Sequence, residues 1–350
     1  GQIWVIEEDG DDKEQVTKLS TGAGNPVWSP DGKWIAFSSE VYPECTSDDC
    51  NKVEEAKVDA SKVKAKVAER LLFKHWNEWR DRKRAHVFVI SRDGGIARDL
   101  TPGDFDSPPY AASTGVDYAF SQDGKEIAFL RNPDKIEATS TNSDIYVMPV
   151  SGGNARNITA GNKGYDAGPV YTPDGKYLLF RSQATATFEA DRWRIMRYSR
   201  SNGETVELTR GFDQQADEIT LSDDGKTIYF AAGTYGRSPI YSVPVEPDFR
   251  LRIATHVKQV VGGVYANSVN VSKDGKTLVF AASSLAAPAE IMRANTDGSG
   301  VAALTKTNPQ FNIAKAEEIE WKGALNHTIH GFIVKPANFD AGRKYPMLVL

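Results

Sequence analysis

The sequence is poor in the residues that most often carry metal or redox chemistry. Its 350 residues include two cysteines and five histidines. None of the histidines, at 75, 86, 256, 327 and 330, falls beside Cys45 and Cys50, so a four-ligand zinc site is excluded. The cysteine pair is then either a local disulfide, as in an exported protein, or two reduced surface thiols. A bridge closing so small a loop would pin a local turn and little else. His327 and His330 gain no third ligand from their surroundings and are set aside, so no metal is expected. No stretch approaches the ~18 apolar residues of a membrane-spanning helix, so no membrane partner is expected. The formal net charge is −5, which leaves no basic footprint for nucleic acid. With 40% hydrophobic and 10% aromatic residues the chain buries a core, which excludes disorder.

What is abundant is one turn. Ser29-Pro-Asp-Gly-Lys-Trp-Ile-Ala-Phe37 fits the pattern Ser/Thr-x-Asp-Gly-Lys-x-Ile/Leu-x-Phe, and further copies begin at Ser121, Thr172, Ser222 and Ser272. Their Asp-Gly pairs begin at 31, 123, 174, 224 and 274. Asp-Gly between two apolar alternations is a strong hairpin signal, because the turn needs the positive φ that glycine adopts without strain. The Ile/Leu and Phe two residues apart then share one face of the returning strand. A hairpin with one apolar face, repeated every ~50 residues, predicts a stack of small antiparallel sheets, which is a β-propeller.

Each repeat is read as four strands: one before the turn, one after it, an apolar third (His86–Ile90, Ile145–Val150, Ile195–Tyr198) and a fourth ending in Leu/Ile-Thr (Leu100-Thr101, Ile158-Thr159, Leu208-Thr209, Leu304-Thr305). This predicts an all-β fold with five complete blades and, before them, the last two strands of another. Gly1–Ile6 opens directly in a strand, as if the natural chain began upstream, and a parent ring of seven blades is expected. The propeller is assigned to residues 1–310, with an insertion at 41–85. There Val53, Ala56, Ala60, Val63, Val67 and Leu71 recur at helical spacing, predicting an amphipathic helix of about five turns. In Phe73–Arg84 the interleaved Trp and Arg could stack on single-stranded nucleic acid. The acidic total argues against that, and the segment is read instead as a lid whose Trp76 and Trp79 cover a blade.

Two carboxylates stand beside two aromatics and an arginine in Phe188-Glu-Ala-Asp-Arg-Trp193. Acids facing a propeller's opening can hold a cationic group such as a peptide α-amine, which makes Glu189, Asp191, Arg192 and Trp193 candidate substrate-binding residues. The plain alternative is a surface ion pair of Glu189 or Asp191 with Arg192 or Arg194. From about residue 311 the repeat gives way to a new alternation, Glu317–Gly323 and Asn326–Pro336, then Met347–Leu350. This reads as the start of a second domain, at 311–350.

These features together resemble the prolyl oligopeptidase family of serine peptidases. The junction carries the resemblance: Ile319-Glu-Trp-Lys-Gly323, His330-Gly-Phe-Ile-Val-Lys-Pro336 and Arg343-Lys-Tyr-Pro-Met-Leu-Val-Leu350. Val41–Cys45, Lys74-His-Trp76, Asp99-Leu-Thr-Pro-Gly103, Ser140–Asp144 and Phe188–Trp193 are similar to the dipeptidyl aminopeptidase/acylaminoacyl-peptidase branch. The resemblance implies that residues 311–350 begin an α/β-hydrolase domain, which is the propeller's partner in the same protein. It implies a short-peptide substrate and no cofactor. No Gly-x-Ser-x-Gly nucleophile elbow occurs in the sequence, so no catalytic residue is assigned and the chain alone is expected to be inactive. The propeller's implied task is to gate the cavity and hold a peptide N-terminus. Exported family members and the cysteine pair point to the periplasm or outside. The rival is a non-enzymatic TolB-like propeller that binds proteins or peptides, for which the hairpin after residue 317 has no use.

Overall fold

The computed structural model describes residues 1–69, 71–110, 117–251, 254–308 and 316–349. The fold is a β-propeller built of four-stranded antiparallel blades. Contacts divide the chain into two compact units, Gly1–Arg210 and Gly211–Leu350. The first holds a strand pair, Trp4–Val5 with Glu14–Gln15, and three blades. Blade one is Gly24–Trp28, Trp34–Val41, Arg84–Ser91 and Gly94–Asp99. Blade two is Tyr118–Phe120, Glu126–Arg131, Asp144–Pro149 and Arg156–Asn157. Blade three is Asp166–Tyr171, Tyr177–Ser182, Arg194–Ser199 and Thr205–Glu207. The second unit holds blade four (Thr220–Leu221, Thr227–Ala231, Ile240–Pro244, Lys258–Val261), blade five (Tyr265–Val271, Thr277–Ser284, Ala287–Asn295, Ala302–Ala303) and the hairpin Glu317–Lys322 with Thr328–Ile333.

The repeated motif builds the same small polar ring five times. In blade two the Ser121 hydroxyl donates to Asp123 Oδ1 at 2.7 Å and accepts the Glu126 amide at 2.9 Å, while the Lys125 amide donates to the same carboxylate at 3.2 Å. Gly124 supplies the positive φ, +66°. Ser29, Thr172, Ser222 and Ser272 repeat the hydroxyl-to-carboxylate bond at 2.6–2.7 Å. These bonds, led by the hydroxyl, hold the carboxyls of Asp31, Asp123, Asp174, Asp224 and Asp274 below their ordinary range. The Leu/Ile-Thr ending is equally regular. The hydroxyls of Thr17, Thr101, Thr159, Thr209 and Thr305 accept the amides of Ile3, Val87, Ile145, Ile195 and Ile291 at 2.8–3.1 Å. Each such bond ties a threonine just past the last strand of its sheet back to the strand before it.

Packing follows from the alternation after the turn. Ile35/Phe37, Ile127/Phe129, Leu178/Phe180, Ile228/Phe230 and Leu278/Phe280 are all at most 2% exposed. Each such side chain contributes about 1.5–3 kcal/mol by burial. Continuous apolar cores lie between blades one and two, between two and three, and between four and five.

The insertion departs from the sequence reading. The helix spans Asp48–Ala60, not 53–71, and ends where Ser61 turns extended with its amide on the Val58 carbonyl. The helical spacing beyond it marks no buried face: Val63 is 71% and Val67 87% exposed. With nothing to bury against, the stripe gains nothing from helix formation. Ser47 caps the helix, accepting the Cys50 amide, and a disulfide joins Cys45 to Cys50 with Cα atoms 5.4 Å apart. Trp76 and Trp79 do not cover a blade. They sit on a small hairpin, Lys74–His75 with Glu78–Trp79, and Trp76 is 87% exposed at its turn.

Candidate functional site

In the first unit the segments that join the second strand to the third in blades one, two and three are residues 42–83, 132–143 and 183–193. These three connectors are tied in a row. Arg80, at the foot of the exposed hairpin, is partly buried and pairs with Asp106 and, at 2.8 Å, with Glu137 of the connector 132–143. Thr141 of that connector accepts the Thr187 amide at 2.9 Å, joining it to the connector 183–193 of blade three.

The four candidate residues sit on this last connector in very different states. Gln183, buried at its base, donates through Nε2 to the carbonyls of Glu189 at 2.9 Å and Asp191 at 2.7 Å. The Asp191 carboxylate accepts the amides of Ala184, Thr185 and Arg192 at 2.7–2.8 Å. Burial raises the Asp191 carboxyl, but these bonds outweigh it and the net direction is down. Arg192 pairs with Glu207 at 2.9 Å, on the neighbouring fourth strand. Trp193 is buried between blades two and three, 5.0 Å from the Tyr165 ring, with the Arg181 guanidinium over its face. Asp191 thus staples the loop, Arg192 ties it to the sheet and Trp193 roots it in the core. Glu189 alone holds an exposed carboxylate with no partner among the described residues, beside an exposed Phe188.

Sequence reasoning missed Arg131, which ends the second strand of blade two. Its guanidinium carbon lies 3.3 Å from the Phe105 ring centroid and 5.8 Å from that of Tyr146. It meets no carboxylate among the described residues, its Nε is buried without an acceptor, and burial lowers its pKa. Nothing distinguishes Glu126–Arg131 in the sequence from the other strands that follow an Asp-Gly turn, so no local signal marks it. On adjoining blades of unit one, the Glu189 carboxylate and the half-buried Arg131 guanidinium thus each lack an ion-pair partner among the described residues. In the second unit one acid does reach His330: Glu320 lies 3.1 Å from its Nδ1.

No family model matches the sequence. It is 32% identical over 359 residues to dipeptidyl-peptidase 5 of Porphyromonas endodontalis, covering 99% of this chain and 50% of the relative. The fold is similar to Pyrococcus horikoshii acylaminoacyl peptidase, with a TM-score of 0.70 at 14% identity, covering 99% of this chain and 48% of that one. It is also similar to a TolB protein from Agrobacterium tumefaciens, with a TM-score of 0.52 at 18% identity, covering 87% of this chain and 88% of that one. The fold class is therefore a β-propeller of the kind that peptidases and TolB proteins share. More narrowly, the chain is similar along nearly its whole length to a propeller portion of the dipeptidyl-peptidase branch of the prolyl oligopeptidase family. It spans about half the length of the relatives it matches.

Proposed function

We propose that this propeller gates and positions substrate for a serine exopeptidase that removes dipeptides or acylated residues from short peptides. Glu189 holds the α-amine of the peptide. Arg131 receives a carbonyl or carboxylate of the same ligand. The observation that carries this reading is the unpartnered Glu189 carboxylate, held by its backbone on a stapled connector of a propeller related to dipeptidyl-peptidase 5 along 99% of its length. Hydrolysis itself proceeds through a seryl acyl-enzyme on the hydrolase domain of the parent protein, which residues 311–350 begin. This chain supplies no nucleophile and is inactive alone. The Cys45–Cys50 bridge supports a periplasmic or secreted setting.

The test is kinetic. In the full-length parent, Glu189→Gln should lower kcat/KM on dipeptidyl substrates with a free amine by 10- to 100-fold, the range of a charge-assisted hydrogen bond worth roughly 1.5–3 kcal/mol. Substrates with an acetylated amine should be unaffected. Equal loss on both would remove the amine assignment. The TolB-like binding propeller is the second reading, supported by the likeness in fold; absence of any peptidase activity in the full-length protein would favour it.

A further inference from the structure

Blades two and three meet through a parallel bridge between Ser143 and Tyr165, and the Ser143 carbonyl accepts the Asp166 amide at 2.9 Å. Parallel register sets the following residues, Asp144 and Asp166, side by side on strands about 5 Å apart. Both are buried, at 1% and 0% exposure. One oxygen of each is occupied: Asp144 Oδ2 accepts Asn157 Nδ2 at 2.6 Å, and Asp166 Oδ1 accepts Asn162 Nδ2 at 2.9 Å. The Thr159 hydroxyl lies against both carboxyls, and the Ser182 hydroxyl against Asp166. The remaining oxygens, Asp144 Oδ1 and Asp166 Oδ2, are buried without a donor. So is Oδ1 of Asn142, two residues earlier and 2% exposed, whose amide nitrogen faces Asp134.

Three buried oxygens on two neighbouring strands thus accept no hydrogen bond among the described residues, and two of them belong to carboxylates. No salt bridge reaches either aspartate among the described residues. Lys163 acts on Asp144 only from an exposed position. Arg194 stands two strands from Asp166, with its guanidinium on the Ser182 carbonyl and hydroxyl at 3.2 and 3.0 Å. A water could satisfy the hydrogen bonds but not the charge, and buried charge is normally paired or bound to a metal ion. Nor does the scaffold need acids here. The junction of blades four and five repeats the same bridge, Ser238 with Tyr265, and the Ser238 carbonyl accepts the Ala266 amide at 3.0 Å. At that junction the two residues that follow are Pro239 and Ala266.

We propose that Asn142, Asp144 and Asp166 form a divalent-cation site that clamps blade two to blade three. Two carboxylates and an amide carbonyl are hard oxygen donors, which suit calcium, with water completing the shell. The ion sits at the root of the connector 132–143, whose Thr141 holds the loop that carries Glu189.

Chelator-stripped chain would be melted in buffer alone and with about 1 mM CaCl2 or MgCl2, well above the dissociation constant of a sensor-class site. The expected result is a calcium-dependent rise in Tm of at least about 3 °C. It should be lost in both Asp144→Asn and Asp166→Asn. Should those variants fail to fold, terbium luminescence on the unaltered chain gives a second readout. Trp193, its ring 5.0 Å from that of Tyr165 beside Asp166, should sensitise the emission, and calcium should quench it by competition. A shift that persists in both variants would place the ion elsewhere and overturn the proposal. So would the absence of both shift and emission, with stabilisation on acidification alone, which would mean that the two carboxyls share a proton.

Discussion

The Gln183 side-chain amide donates to the Glu189 carbonyl at 2.9 Å, so the residue with the unpaired carboxylate is anchored through its main chain. Its side chain is left over for a ligand. Gln183→Ala removes that anchor together with the bond to the Asp191 carbonyl. Because Gln183 is buried, the orphaned carbonyls should cost about 1–3 kcal/mol. In the full-length protein the loss should appear as a raised KM for free-amine substrates with kcat little changed, which steady-state kinetics would resolve.

Asp191 lies two residues from Glu189 yet should behave differently. Asp191→Ala leaves three loop amides without their common acceptor. Free-amine and acetylated substrates should suffer alike, and the Tm should fall by a few degrees, as for a loss of about 1–2 kcal/mol. A selective loss on the free-amine substrate alone would return Asp191 to the amine site.

The polar ring of the repeat is structural, and Ser121→Ala tests it in a copy whose serine is fully buried. It strands the Glu126 amide and one bond to Asp123, for an expected destabilisation of about 1–3 kcal/mol by urea unfolding. Peptide binding should not change.

Acid should weaken the propeller through these same turns. The five aspartates have depressed carboxyl pKa values in the folded chain. Their contribution is therefore present above the ordinary unfolded value near 4 and is lost as pH falls through the folded values. Glu290, held to about 2 by Thr305 and by the Asn308 and Thr307 amides, acts in the same direction. Tm measured against pH should drop below about pH 4, and mutation of several turn aspartates should flatten that drop.

The Cys45–Cys50 bridge should matter little to global stability. Its loop is so short that chain entropy supplies about 2 kcal/mol at most. Cys45→Ser with Cys50→Ser should loosen only the start of the helix Asp48–Ala60, seen as local hydrogen-exchange protection lost without a large fall in Tm.

The parts of this structure that were legible in sequence are those governed by local chemistry. Asp-Gly-Lys turns, the Ile/Leu-x-Phe strands and the Leu/Ile-Thr endings each state their own geometry within about fifteen residues, and their repetition gives the blades. The helix was over-read because Val63 and Val67 continue a helical spacing that no neighbouring surface rewards with burial. At the site, the cluster Phe188–Trp193 was found, but its division of labour was not. Which acid is spent depends on the amides of Ala184 and Thr185, whose direction is a matter of loop conformation. Arg131 was invisible for a further reason: the ring it meets, Phe105, lies 26 residues away in sequence and is brought to it only by the fold. The pairing of Asp144 with Asp166 depends likewise on a bridge between blades.

The central claim is that Glu189 reads the peptide N-terminus. Its most direct test compares the full-length protein and its Glu189→Gln variant on one dipeptidyl chromogenic substrate with a free or an acetylated amine. Preference for the free amine, reduced 10- to 100-fold by the substitution with the acetylated substrate unchanged, is the expected result. A preference for the acetylated substrate that survives Glu189→Gln intact would contradict it.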